Sequence, residues 1–278
     1  MRIQIISDLH LEFQKELPDI QNAGADLLIL GGDICVADHL HSNPTAGRSD
    51  LIQKGWYAND AIRFRRFLDH CSRNWPQVIY VMGNHEHYHG RWYRTEATLR
   101  KEMEHWPNIV LMEQDKMELD GIVFLGATLW SSLNDGDPLT VLSVKDMMND
   151  YRQITEKNGD NYHKLRPLTT LAKHRETVEW LRIQLAEDKR PTVVVTHHCP
   201  SWQSVHPQYA MHTIMNGAFS SNLEDIMMDN DHIKLWTFGH THWAHRYQIN
   251  QAQCICNPHG YPGETVSFDP ALIVEISG

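Results

Sequence analysis

Five short apolar runs, each followed at once by residues able to bind a metal ion, constrain this chain more than any other feature. The runs are three to five residues long and rich in Val, Ile and Leu. Such runs, bounded by Gly or polar residues, are typical of buried strands. They cover residues 3–6, 27–30, 78–82, 193–195 and 235–238. Because sites in α/β sheets lie beyond the carboxyl ends of strands, the pattern predicts one site built from five strand ends.

Stretches with the helical spacing of apolar residues lie between these runs. They predict helices over 60–75, 92–106 and 169–185. Short apolar runs within 109–129 predict a β-meander, and the C-terminal part of the chain is also strand-rich. Strands that alternate with helices favour an α/β fold, here a pair of mixed sheets with helices outside.

Residues 35–59 form a long segment with neither helical nor strand spacing. A loop of this length is either functional or a surface insertion, and the sequence leaves both open. A turn-rich stretch around His259 is a second loop that could close over a site, and the pair Met147-Met148 is predicted to fill core space. We find no linker, so residues 1–278 are predicted to form a single domain.

Composition excludes several classes of protein. The formal net charge is −10, which disfavours nonspecific binding to nucleic acids and to anionic membranes. There is no apolar stretch of about 18 residues and no hydrophobic signal segment. The five cysteines fit no disulfide framework, which is typical of a reducing compartment. These features predict a cytoplasmic protein that does not bind membranes.

Histidine is unusually frequent, with 19 copies in 278 residues. Four histidines, two aspartates and one asparagine follow the five runs: Asp8, His10, Asp33, Asn84, His197, His240 and His242. Each of them alone is more often a turn or core residue, but their joint occurrence at every central strand end favours a metal site. Nitrogen and oxygen ligands without thiolates suit Mn, Fe or Zn better than Ca. Seven ligands are too many for one catalytic ion and suit two ions about 3.5–4 Å apart, bridged by a carboxylate.

Together these motifs resemble the signature of the calcineurin-like metallophosphoesterase superfamily. They are D-x-H at residues 8–10, G-D at 32–33, G-N-H-E at 83–86, a lone histidine at 197 and G-H-x-H at 239–242. They occur in the family's order over nearly the whole chain. The resemblance implies a four-layer αββα sandwich, in which two mixed β-sheets are flanked by helices.

The resemblance also implies a role for each motif residue. One metal ion would be held by Asp8, His10 and His242, the other by Asn84, His197 and His240, with Asp33 bridging both. A hydroxide between the ions would attack phosphorus in line. His85 is expected to be a general acid or a hydrogen-bond donor to the phosphate, the alternative being a purely structural histidine.

Two features of the motifs depart from the family pattern or leave a choice. Many members read G-D-x-x-D, in which the second acid supports the catalytic histidine; Val36 stands there in this chain. Either Asp38 or Glu86 is then predicted to support His85. The arginine that protein phosphatases carry in this motif is also absent, which weakens a protein phosphatase interpretation.

Loop residues near the motifs are candidates for contacts with substrate. His198 follows the preferred ligand His197 and is predicted to face the substrate or to support the ligands. His89 and Arg91 follow the G-N-H-E motif and could bind a phosphate oxygen. For His89 and Arg91, a solvated loop is the competing interpretation.

The sequence therefore predicts metal-dependent hydrolysis of a small phosphodiester or phosphomonoester, including nucleotide-like esters. A nuclease of the same superfamily is the alternative among phosphoesterases. It would require a basic groove, and the acidic sequence gives no indication of one. A two-metal peptidase and a noncatalytic interaction scaffold are the alternatives from other classes. The physiological substrate, the identity of the metals and the oligomeric state stay open.

Overall fold

All five apolar runs form buried strands. The computed structural model describes residues 1–40, 56–264 and 267–277. The strands of that part of the chain are β1 (Arg2–Ile6), β2 (Leu27–Gly31), β3 (Gln77–Val81), β4 (Ile109–Met112), β5 (Asp115–Leu119), β6 (Ile122–Ala127), β7 (Thr155–Asn158), β8 (Asn161–Lys164), β9 (Thr192–Thr196), β10 (Ile233–Phe238), β11 (His245–Ile249), β12 (Ala252–Cys256) and β13 (Ile273–Glu275).

Long helices occupy the segments with helical spacing, and shorter ones lie in the loops. The α-helices are α1 (Trp56–Asn74), α2 (Trp92–Met103), α3 (Leu133–Gly136), α4 (Pro138–Met147), α5 (Asp150–Gln153), α6 (Pro167–Glu187), α7 (Thr213–Phe219) and α8 (Glu224–Met228). Single 3-10 turns are found at Ala37–Leu40, His85–His87, Trp202–Ser204 and Pro207–Tyr209. No helix in the described part of the chain is long and apolar enough to cross a membrane.

Two mixed sheets carry the fold. The first has the order β13-β1-β2-β3-β4, and the second has the order β11-β12-β10-β9-β6-β5. In the first sheet β1 to β4 are parallel and β13 is antiparallel. In the second, β6, β9, β10 and β12 are parallel, and the edge strands β5 and β11 are antiparallel. Parallel neighbours bring the carboxyl ends of β1, β2 and β3 to one edge, and those of β9 and β10 to one edge of the second sheet.

Alternation along the strands divides the core into layers. Ile3, Ile29, Ile79, Val193 and Leu235 belong to one buried cluster between the two sheets. Their neighbours along each strand point the other way, as the pleat requires. Those on the first sheet pack against α1 and α2, and those on the second pack against α6 and α8. The result is the four-layer αββα sandwich predicted from the sequence, with both sheets buried on both faces.

Some predicted elements differ from those observed. Residues 109–129 do not form a meander, because β4 joins the first sheet and only β5 and β6 pair as a hairpin. Gln114, with φ of 55°, lies at the break where the chain passes from one sheet to the other. The irregular segment predicted over 35–59 includes a 3-10 turn and the start of α1, and its residues 41–55 lie outside the described part of the chain.

Candidate active site

The loops after the strands place most of the predicted ligands in a rare backbone conformation. Five of the seven have positive φ: Asp8 (55°), His10 (45°), Asp33 (54°), His240 (70°) and His242 (48°). Left-handed backbone is uncommon outside glycine, although Asp, Asn and His adopt it more readily than most residues. Strained backbone that is held in place by its surroundings is characteristic of functional sites.

Glycines allow the loops to approach one another closely. Gly32 has a φ of 89°, and a Cβ atom there would lie 2.5 Å from Nδ1 of His197. A Cβ at Gly83 would lie 2.7 Å from the backbone nitrogen of Asp33. The G-D and G-N-H-E motifs therefore need their glycines because the loops after β2, β3 and β9 meet without space for a side chain.

Six of the seven predicted ligands, together with His85, which was not predicted to be a ligand, form three groups that could hold a metal ion. They are Asp8–His10–His242, His10–Asp33–His85 and Asp33–His197–His240. The Asp33 carboxylate belongs to two groups, with its Oδ2 3.7 Å from His10 Nε2 and 3.4 Å from His197 Nε2. Asn84 Oδ1 lies 3.1 Å from the same His197 nitrogen. All seven predicted ligands thus converge on one buried cluster with Asp33 at its centre.

Several atoms of the cluster lack partners that a cation would supply. Asp8 Oδ2 and His240 Nε2 are buried and have no hydrogen-bond partner among the residues that the structure describes. The Nε2 atoms of His10 and His242 face each other at 3.0 Å. Buried polar atoms are rarely left unsatisfied in folded proteins. Unpaired carboxylate and imidazole atoms that converge on a shared space fit divalent metal ions of the Mn, Fe or Zn type.

Charge interactions within the cluster raise the pKa of two histidines and lower the pKa of Asp33. Burial opposes charge on Asp33, but the neighbouring His197 and His85 hold the pKa of its carboxyl well below the ordinary value. Conversely, burial is outweighed by the Asp33 carboxylate, which raises the pKa of His197 to about 10. The pKa of His242 is raised to about 8 beside Asp8. Metal binding must therefore displace protons from this cluster.

The amide of Asn84 is oriented by a buried carboxylate. Asn84 Nδ2 donates to Asp150 Oδ1 at 2.8 Å, and the Tyr88 hydroxyl donates to the same oxygen at 2.7 Å. Because Asp150 takes the amide nitrogen, the amide oxygen must face His197 and the cluster. Asp150, at the start of α5, therefore acts on the cluster through Asn84.

Glu86 fastens two of the loops to each other. Its buried carboxylate accepts hydrogen bonds from the backbone nitrogens of Asp33 (3.0 Å), Ile34 (2.8 Å) and Gly83 (2.6 Å). The Tyr80 hydroxyl donates a further bond of 2.7 Å. Glu86 therefore supports the loops rather than the ring of His85.

His85 lies beside the cluster with both ring nitrogens occupied. Nδ1 is 2.8 Å from Glu12 Oε1, and Nε2 is 3.1 Å from the Tyr261 hydroxyl. Burial lowers the pKa of His85, but the charges of Asp33 and Glu12 outweigh it and raise the pKa to about 9. The pKa of Glu12 falls to about 2, since its bonds to His10 and His85 outweigh burial. The acid on the His85 ring is therefore Glu12, not the predicted Asp38 or Glu86.

The turn-rich stretch after β12 does reach the cluster. The Tyr261 ring packs against that of His10 in a tilted arrangement, with 4.4 Å between the ring centroids. Glu264 Oε2 lies 2.7 Å from His242 Nδ1 and accepts the backbone N–H of Tyr261 at 2.8 Å. His259 itself lies further back, with its ring 5.2 Å from that of Phe268.

A cavity of about 470 Å³ opens beside the cluster. Cluster residues and the Tyr261 hydroxyl form one side of it. The apolar and aromatic side chains of the remaining lining, which we call the apolar wall, are Met147, Met148, Val205, Tyr209, Met215 and Phe219; the polar Asn149, His206, His212 and Asn216 lie among them. Met147 is 57% exposed, so the prediction that the Met147-Met148 pair fills the core is wrong for its first member. The volume suits a small organic ligand.

The remaining predicted residues lie outside this cavity. His198 is buried behind the cluster, with its ring 4.2 Å from that of His240 and 5.0 Å from that of Trp130. His89 stacks on His39 at 6.0 Å. Arg91 is exposed and covers the ring of Tyr162 at 4.9 Å. Asp38 lies half-buried in the 3-10 turn after β2.

Sequence reasoning missed Glu12, Asp150, Tyr261 and the apolar wall. A signal for Glu12 was present, because Asp8, His10 and Glu12 alternate along one segment. Asp150 carries no such signal, since it is 66 residues from the asparagine that it holds.

This chain belongs to the calcineurin-like phosphoesterase family, whose sequence profile matches residues 1–244. The match confirms the resemblance and the fold predicted from the five motifs. The family and the His/Asp groups support metal-dependent hydrolysis of phosphate esters in general terms.

Two individual proteins illustrate the range of similarity. The chain is 28% identical over 224 residues to "Uncharacterized protein L509" of Acanthamoeba polyphaga mimivirus, which covers 76% of this chain and 78% of the viral protein. Its fold is similar to the crystal structure of Phosphopantetheinyl Hydrolase (PptH) from Mycobacterium tuberculosis, with a TM-score of 0.60. That similarity covers 94% of this chain and 89% of the mycobacterial chain at 16% sequence identity.

Proposed function

We propose that this protein hydrolyses small phosphate esters, diesters or monoesters, with two divalent metal ions held by the cluster. The observation that carries the proposal is the convergence of seven potential ligands around Asp33, with atoms of Asp8 and His240 that have no hydrogen-bond partner among the described residues. Asp8, His10 and His242 would hold one ion, and Asn84, His197 and His240 the other, with Asp33 between them. The ions would supply a nucleophilic hydroxide at neutral pH and offset the charge of the phosphate.

The protein's own residues provide the acid of this reaction. His85 lies at the cavity; burial lowers its pKa, but the neighbouring carboxylates, including Glu12 on its Nδ1, raise the pKa and favour the protonated ring. Protonated, it can donate to a phosphate oxygen or to the departing alkoxide. Glu12 fixes the ring through Nδ1, so that Nε2 is the nitrogen that faces substrate. In the substrate-free protein Tyr261 occupies that nitrogen and would have to share it.

A small substrate is favoured over a nucleic acid. Among the described residues that line the cavity there is no lysine or arginine. Proteins that bind nucleic acids depend on such cations for most of their nonspecific affinity. Together with the net charge of −10, this disfavours the nuclease alternative.

The test is hydrolysis of bis-p-nitrophenyl phosphate and p-nitrophenyl phosphate by protein loaded with Mn²⁺, with and without chelator. Turnover that chelator abolishes supports the proposal, and the better substrate decides between diester and monoester. A protein that holds two metal ions but turns over neither ester, nor any member of a broader phosphate ester panel, overturns it. A protein that takes up no metal at all favours the scaffold alternative.

A further inference from the structure

The apolar wall is exposed to solvent although its side chains are large and hydrophobic. Tyr209 is 50% exposed and Met147 is 57% exposed, and both line the cavity beside the metal ligands. Scattered exposed apolar residues need no explanation, but here two exposed side chains share one concave surface with four half-buried ones, Met148, Val205, Met215 and Phe219. A group that covers this surface would remove apolar area from water.

The charges around the wall are unsuited to an anionic group. Among the described residues that line the cavity, no lysine or arginine is present, and Glu264 contributes a carboxylate. Two histidines at the wall, His206 and His212, pack their rings 6.0 and 5.9 Å from the ring of Tyr209. Their rings therefore extend the aromatic surface around Tyr209.

The wall also combines a fixed part with an adaptable part. The carbonyl oxygen of Tyr209 accepts a 2.9 Å bond from Asn216 Nδ2, which anchors the backbone that carries the ring. Methionine side chains, by contrast, are flexible and polarizable and adapt to flat rings and chains. Phe219 joins the two sides of the cavity, with its ring 4.9 Å from that of His240.

We propose that the apolar wall binds an uncharged aromatic or apolar group of the phosphate ester, and that Tyr209 and Met147 determine this specificity. The inference rests on the proposed function for the position of the phosphate at the cluster. It assigns the organic part of the substrate to the wall and excludes substrates that carry further phosphates on that part. An aryl ring, a nucleobase or a short acyl chain has the required chemistry.

The experiment measures binding rather than turnover. Calorimetry gives the Kd of phenylphosphonate and of methylphosphonate for the Mn²⁺-loaded protein, so that the anionic group stays constant and only the organic group changes. We expect phenylphosphonate to bind about tenfold more tightly, since stacking of one ring is typically worth that factor. 4-Carboxyphenylphosphonate should bind several-fold more weakly than phenylphosphonate, because no cation of the described lining meets its extra charge.

Matched variants test whether the preference for phenylphosphonate depends on the apolar wall. In Tyr209→Ala/Met147→Ala the tenfold preference should fall to about twofold, with the Kd of methylphosphonate unchanged. Tyr162 and Met228 are equally exposed, at 51% and 59%, and neither is among the described residues that line the cavity. Tyr162→Ala/Met228→Ala should therefore keep the wild-type preference.

The outcomes separate this inference from the proposed function. Equal affinity for the two phosphonates, or a preference that survives loss of Tyr209 and Met147, overturns the inference even if esters are hydrolysed. Tighter binding of the carboxylated ligand overturns the requirement for an uncharged group. If the wild-type protein hydrolyses no ester but still binds phenylphosphonate more tightly than methylphosphonate, the proposed function is wrong and the inferred binding site is supported.

Discussion

The two sides of the cavity differ in burial and in rigidity. The metal-binding side is buried, carries left-handed backbone at five ligands, and is fixed by Glu86, Asp150 and Glu12. The apolar wall is exposed, and its methionines can change rotamer at little cost. Chemistry needs atoms held to within a fraction of an ångström, whereas recognition of an uncharged group needs only area and shape. Substitutions should therefore have large effects on one side and small ones on the other.

The largest effect is expected at the centre of the cluster. Asp33→Ala should lose at least one of the two metal ions and abolish ester hydrolysis, because this carboxylate belongs to two of the three groups. Metal content by atomic emission and turnover of bis-p-nitrophenyl phosphate are the measurements. Asp229→Ala, at an exposed aspartate after α8, is the control. Full activity with two metal ions in Asp33→Ala would make the assignment of this residue wrong.

Loss of the acid should leave the metal ions in place. His85→Ala is expected to lower kcat about 10²–10⁴-fold, the usual range for an acid–base group. Since His85 is proposed to act in its protonated form, wild-type activity should fall as pH rises through the pKa of this residue. Glu12→Gln removes a charge that raises this pKa, so the fall should move to lower pH. His105→Ala, at an exposed histidine after α2, serves as the control, and an unmoved alkaline limb in Glu12→Gln would contradict the role given to Glu12.

Substitution of Glu86 tests the rigidity of the loops after β2 and β3 separately from ester hydrolysis. Glu86→Ala leaves four buried backbone N–H groups without their acceptor, which should lower the free energy of unfolding by about 3–5 kcal/mol. Denaturant unfolding of the metal-free protein measures this loss. Glu187, exposed at the end of α6, offers a matched control with little expected change. A loss below about 1 kcal/mol would mean that the loops hold their conformation without Glu86.

Asp150 should affect metal binding indirectly, through the orientation of Asn84. Asp150→Ala frees the amide of Asn84 to rotate and should weaken Mn²⁺ binding about 10–100-fold, as is typical of residues that orient a ligand. Competition with a fluorescent chelator gives the affinity. Asp146→Ala, exposed on α4 four residues earlier, should bind Mn²⁺ like the wild type. Unchanged affinity in Asp150→Ala would assign Asp150 a purely structural role.

The smallest effect is expected on the stability of the apolar wall. Met147→Ala and Tyr209→Ala should each change the free energy of unfolding by no more than about 0.5 kcal/mol, because both side chains are half-exposed or more. Thermal unfolding of each variant tests this. A loss of several kcal/mol in either would show that the wall is part of the core, and the contrast between the two sides would disappear.

The sequence predicted the fold from its strands and the cluster from its strand ends. The runs that became β1, β2, β3, β9 and β10 are buried on both faces, so their apolar character is continuous and easy to read. Parallel pairing then requires residues that follow these strands to meet. No comparable rule brings Asp150 to Asn84, because the chain between them runs through both sheets and through α2, α3 and α4.

The apolar wall was harder to predict for a different reason. Met147 ends α4, whose outer residues Leu139 and Leu142 are also exposed, at 66% and 65%. In a sequence such a helix is indistinguishable from a buried one, since apolar residues on several faces normally mean burial. Glu12 was missed because the family pattern directed attention to the position of Val36, whereas the acid that reaches His85 comes from the loop after β1.

The left-handed backbone of the ligands has a consequence for how this protein can change. Left-handed positions favour glycine by roughly 1 kcal/mol, so replacement of Asp8, His10, Asp33, His240 or His242 by glycine would relieve conformational strain while it removes a metal ligand. These five positions therefore have to meet two requirements, a backbone conformation that favours glycine and a side chain that can bind a metal ion. Aspartate and histidine meet both requirements at once, because they bind metal ions and are among the residue types that tolerate this conformation best. Glycine substitution at these positions is therefore a poor route to a more stable protein, since it would remove metal ligands together with the hydrogen bonds that Asp8 and Asp33 accept from the backbone nitrogens of His240 and His85.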